Sequence, residues 1–153
     1  MLAFLTSGWV TYADRRWKQN IEAKRPFDAE LHKLSALVTK HEIQKLRVDS
    51  LSNRLSQWLD ETEKMVGRTT AVDQWQGIIK DLGKQRDQIA EIVTSAKHLH
   101  EVGLQQQRPS PKEFAVVTAS VTDLTNQLEI AVFIEQQFRD ALDKTRGKPP
   151  SAS

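Results

Sequence analysis

The 153 residues include no cysteine, which excludes disulfides and thiolate-bound metals and leaves the redox compartment open. Glycine and proline are scarce, at six and five. A fold of many short strands needs a turn residue at every corner, so this scarcity argues against a sheet protein. The phosphate-cradling GxxxxGK[ST] and GxGxxG patterns and the GxSxG nucleophile elbow are all missing. Strong charge of one sign is missing too. The net charge is +2, and residues 14–25 (Arg15, Arg16, Lys18, Lys24 and Arg25 against Asp14 and Glu22) hold a local +3 of it, leaving the rest near −1. A neutral body with one basic collar is not the footprint of a nucleic-acid binder, whose basic stripe follows the fold.

What is present is helical periodicity. From Phe27 to Val66, alternating steps of four and three land on Phe27, Leu31, Leu34, Val38, His41, Lys45, Val48, Ser52, Leu55, Leu59, Thr62 and Val66. Leu37, Leu46, Leu51, Trp58 and Met65 widen the stripe, as a helix packed against two neighbours requires. Forty residues at this rise make a rod of roughly 60 Å, with Gly67 as its stop. A second stripe runs through Trp75, Ile79, Leu82, Arg86, Ile89, Val93, Ala96 and His100. Thr70 and Asp73 resemble its start signal and Gly103 its C-cap. Gly77 and Gly83 weaken its first turns.

The stretch LQQQRPSPKEF reads as a linker ending in a capping box, with Ser110 at the N-cap, Pro111 at the first helical position and Glu113 at the third. Beyond it, Phe114, Val117, Val121, Leu124, Leu128, Ala131, Glu135, Phe138 and Leu142 keep the same step. The pattern predicts an all-α fold, an antiparallel bundle of three long amphipathic helices with a short N-terminal helical element broken off at Pro26. Residues 1–25 form that apolar and basic element, 26–146 the bundle, and 147–153 a disordered tail.

The stretch RLSQWLDETEKMV, followed by DLGKQRDQIAEIVTSAKHLHEVG, resembles the first two helices of a spectrin-type repeat. Trp58 and Leu59 with Asp60, Glu61 and Glu63 match the tryptophan–leucine pair of that family's first helix. Ala96, Leu99 and Gly103 match the end of its second. The resemblance covers about residues 48–145. It departs from the family in the third helix, where Leu128 stands in place of the usual second tryptophan. It implies a structural or scaffolding role without catalytic residues, and a bundle core holding Trp58, Leu59, Trp75 and Leu128.

Chemistry-bearing residues are scattered. His98 and His100 fall on different faces of a helix, unlike zinc ligands spaced by four. His41 lies on the apolar stripe as a polar core residue or an interface switch. Lys45, Arg86 and Glu135, also on stripe positions, read as groups near bundle ends, as snorkelling side chains or as register pins. Runs such as DETE are solvation and i, i+4 pairing. No metal, cofactor or small-molecule substrate is expected, and no enzymatic activity.

Residues 1–13 are uncharged and largely apolar, but too few for the roughly twenty that cross a bilayer. No basic segment precedes them and no small-x-small site follows, which reads against a cleavable signal. Trp9, Tyr12 and Trp17 then form an aromatic belt before the basic collar, the order found at the cytoplasmic edge of a membrane. Leu2, Leu5, Trp9 and Trp17 also share one helical face, so the same segment is suited to dock on a bundle. The sequence thus predicts a non-enzymatic helical scaffold or protein-interaction module, with a protein partner or a second copy bound through helices. Leu2, Phe4, Leu5, Trp9 and Trp17 with Arg15, Arg16 and Lys18 would make membrane or partner contact. The expected location is cytoplasmic, or at the cytoplasmic face of a membrane. The alternative is a single-pass membrane-anchored protein with a cytoplasmic oligomerising helical domain.

Overall fold

The computed structural model describes the backbone of residues 2–146 and the side chains of residues 24–145. Three helices follow one another: α1 (Leu2–Val66), α2 (Thr70–Leu104) and α3 (Pro111–Arg146). No strand occurs among the described residues. The fold is an all-α bundle of three helices.

The connections follow from local chemistry. Gly67 ends α1 with φ of 77°, a backbone angle at which a Cβ would meet the following carbonyl. Its amide closes the turn by donating to the Glu63 carbonyl at 2.8 Å. The N-cap of α2 is Thr69, one residue ahead of the expected Thr70, and its hydroxyl accepts from the Val72 amide at 3.3 Å. Asp73 pairs instead with Arg68 at 3.2 Å. Gly103 is not the cap that the sequence suggests. It lies inside α2, which is capped at Gln105, and a Cβ built on it would sit 2.5 Å from a Leu31 methyl. Only a hydrogen there lets α2 approach α1 so closely. At the head of α3 the capping box forms in full. The Glu113 amide donates to the Ser110 hydroxyl and the Ser110 amide to the Glu113 carboxylate, both at 3.1 Å.

The N-terminal element is helical, but it is continuous with the first long helix rather than broken at Pro26. Proline removes one amide donor and crowds the carbonyl one turn earlier, at about 3 kcal/mol in a helix interior. Pro26 is exposed, so water can satisfy the freed carbonyl. The first buried core residue, Phe27, follows at once. The expected tail at 147–153 lies outside the described residues.

In the bundle, α2 runs back along α1. Trp58 meets Trp75 edge to face, with ring centroids 5.2 Å apart, and at the other end Leu31 meets Gly103. Exposed ion pairs, Glu42–Lys97 and Asp49–Arg86, tie the two helices in between. α3 returns parallel to α1, with His41 at Leu124 and Arg47 at Glu135. The central core is Phe27, Leu31, Leu34, Val48, Leu51 and Leu55 of α1, with Leu82 of α2 and Val117 and Leu142 of α3. Each such side chain is worth roughly 1.5–3 kcal/mol of burial. Three apolar residues assigned to the α1 stripe do not belong to it: Leu46, Met65 and Val66 are 68%, 76% and 57% exposed. Both α2 and α3 pack along α1, yet they touch each other over only a short stretch.

Candidate functional site

Two features of this architecture can carry chemistry or recognition, and they lie side by side. The first is a ladder of buried polar side chains between α1 and α3. His41, Gln44 and Glu135 are all nearly or fully withdrawn from solvent. His41 places Nε2 2.8 Å from the Leu124 carbonyl. A carbonyl only accepts, so this bond requires a proton on Nε2. The other ring nitrogen, Nδ1, is buried without a partner. One turn on, the Gln44 amide reaches the Ala131 carbonyl and the Glu135 carboxylate, both at 3.4 Å.

Glu135 is completely buried but not isolated. Arg139, one turn along α3, donates to it at 2.8 Å, and Arg47 donates across from α1 at 3.1 Å. Burial pushes its pKa up, but the hydrogen bonds from Arg139, Arg47 and Gln44 outweigh that and hold the carboxyl below its ordinary range. Glu135 is neither at a bundle end nor snorkelling, the first two roles open to it from its stripe position. It sits opposite the middle of α1, with both arginines bringing their guanidinium groups in from the surface.

The second feature is the gap left because α2 and α3 diverge. A groove of about 540 Å³ opens there, floored by His41 and Ala131 and walled by Ile89 and Ile92 of α2 and Ile130, Ile134 and Phe138 of α3. A second hollow of about 380 Å³ extends it toward Leu99 and Leu124, with Glu91, Ile92 and Gln127 common to both. On α3 the combined seam runs from Ser120 to Phe138, roughly 27 Å along the helix axis. Its charged lining is three carboxylates (Asp81, Glu91 and Asp123) and one ammonium (Lys84). Ile130 is 59% exposed at its lip, and Phe133, nearby on α3, is 63% exposed.

Of the residues singled out for the core, Leu59 is buried, while Trp58, Trp75 and Leu128 are half-buried and pack against the core cluster. Arg86 keeps its charge at the surface between Asp49 and Asp87. The side chains of Leu2, Phe4, Leu5, Trp9, Arg15, Arg16, Trp17 and Lys18 lie outside the described residues. The sequence reading missed the seam entirely. Its residues Ile92, Ile130 and Ile134 lie off the heptad stripes, and their steps of three or four along each helix were the available signal. Among the described residues, no group of three or more histidine, aspartate or glutamate side chains converges as a metal site would require. Nor is any helix among them long and apolar enough to cross a membrane.

Comparison with protein-family models, with curated proteins and with solved structures finds no match to this chain.

Proposed function

We propose that the protein is a non-catalytic helical interaction module that receives an amphipathic helix in the seam between α2 and α3. One observation carries this reading: a largely apolar trough bounded by two helices that rest on α1 and hardly on each other. Monomers rarely leave contiguous apolar surface open unless something covers it. A helix offering side chains at i, i+3, i+4 and i+7 is the ligand such a trough suits. The spectrin-type resemblance of residues 48–145 supports a scaffolding role of the same kind. Nothing in the polar ladder argues for turnover, since Glu135 is held ionised by fixed arginines and is closed to solvent.

The test is a titration of the isotope-labelled full chain with synthetic amphipathic helices whose polar faces are basic, neutral or acidic. Saturable amide shifts centred on Ile89, Ile92, Ile130 and Ile134 are expected with at least one of them. Absence of saturable shifts with all three, or shifts centred on the far face of α1 at Ile43 and Leu46, would sink the proposal.

A further inference from the structure

We infer that the occupant of the seam is the N-terminal helical segment of a second copy of this chain, exchanged reciprocally in an antiparallel dimer. The inference rests on the seam being a helix-binding site and adds the identity of the helix. Three observations converge on it: charge, length and continuity.

The seam presents Asp81, Glu91 and Asp123 against Lys84 alone, a lining of net −2. Two copies laid seam to seam would therefore bring acidic surfaces together. The segment from residue 14 to residue 25 carries a net +3, directly after a face made by Leu2, Leu5 and Trp9. An apolar stripe with basic flanks is the complement of an apolar trough with an acidic rim, and such pairing fixes register and speeds encounter. The segment is also long enough to fill the seam. The helix ahead of Pro26 spans Leu2 to Arg25, roughly 36 Å, against roughly 27 Å of seam.

Continuity decides which copy supplies the helix. Because α1 is unbroken from Leu2 through Pro26 to Val66, the segment ahead of Phe27 continues the α1 axis past the end of its own bundle. It cannot also fold back onto its own α2 and α3. In two copies laid antiparallel, each N-terminal segment lies beside the other copy's bundle, and both seams are filled by one symmetry operation. Such an interface closes on itself and adds no further copies. The inserted helix then runs parallel to α2, against Ile92 on one side and Ile130 and Ile134 on the other.

Sedimentation velocity of the full chain over a concentration series, at low and high salt, tests this. A monomer–dimer equilibrium weakened by salt is expected. Ile130→Glu alters a side chain already exposed at the seam lip, so the fold survives, which a cooperative helical melt verifies. It should weaken dimerisation by about tenfold or more, the effect of placing a charge in an apolar contact. The Arg15→Glu/Arg16→Glu and Glu91→Lys/Asp123→Lys variants should each dimerise poorly alone. An equimolar mixture of the two should regain the wild-type constant, because each then offers the charge that the other's seam or segment lacks. A wild-type chain that stays monomeric, an Ile130→Glu chain that dimerises normally, or a mixture that fails to recover would overturn the inference. So would a full chain that binds anionic phosphatidylserine vesicles as a monomer, since a lipid surface would then be what the basic segment meets. If the inference fails while the synthetic helices still fill the seam, only the occupant was misassigned. If they too find nothing, the interaction module falls with it.

Discussion

Replacing Glu135 by glutamine separates charge from shape in the middle of the α1–α3 interface. The carboxylate accepts from Arg139 at 2.8 Å and from Arg47 at 3.1 Å, and hydrogen bonds to an ion contribute roughly 1.5–3 kcal/mol each when shielded. The Arg47 side chain is 51% exposed, so screening reduces its share to that of a surface pair, under about 1 kcal/mol. Arg139 is 22% exposed and keeps more. Against these stands relief from burying a charge, which the amide does not pay in full. The net expected loss for Glu135→Gln is about 1–2 kcal/mol near neutral pH, as a shift of the urea midpoint at constant slope. The sign with pH follows from the lowered pKa. Glutamate's ordinary value is 4.5, and the native carboxyl titrates below it. Its contribution is therefore complete above the unfolded value and is lost as the pH falls through the lower folded one. The gap between wild type and Glu135→Gln should stay constant from neutral pH down to that ordinary value and then close. Equal midpoints at neutral pH, or a gap that persists in acid, would refute the pairing as the source of stability. Glu135→Met, similar in length but without an acceptor, leaves Gln44, Arg47 and Arg139 without that partner and should lose more than Glu135→Gln.

The glycines of α2 make a second set of tests. Gly77→Ala and Gly83→Ala meet nothing within 4 Å and should each stabilise by roughly 0.5–1 kcal/mol in thermal melts. Gly103→Ala should instead lose stability, by about 1 kcal/mol or more after its propensity gain, because the buried Leu31 must move. Ser110→Ala removes a hydroxyl that accepts from the Glu113 amide. It should cost about 1 kcal/mol in urea melts, and Ser110→Asp should recover most of that.

Some of this was legible in the order of residues and some was not, and the division has a physical basis. Ser110, Pro111 and Glu113 act on one another within a single turn, so their spacing is their structure. Gly67 is similar: the angle it supplies is local. Gly103 has the same composition cue as a helix end, but its role is set by Leu31, seventy-two residues earlier, and no local pattern reports that. Pro26 reads as a break because a proline penalty of about 3 kcal/mol is a local term, which the helix on either side outweighs. Leu46 reads as part of the stripe because an apolar residue one or two steps from a core position widens the pattern without showing which neighbour covers it. Whether α2 or α3 covers that side depends on where those helices settle. The seam is the extreme case, for it exists only through what α2 and α3 fail to do to each other.

That both flanking helices lean on α1 also shapes how the molecule comes apart. The α1–α2 hairpin closes through a short turn at Gly67, and its aromatic pair, Trp58 and Trp75, joins residues close along the chain, so its loop-closure entropy is small. α3 is reached only after the longer linker ending at Ser110, and it is fastened by fewer neighbours, several of them polar rungs. It is thus the natural unit of subglobal opening, a foldon whose amides exchange with solvent before those of the hairpin. A helix lodged between α2 and α3 would be worth most to α3, turning the most readily released part of the bundle into its most protected.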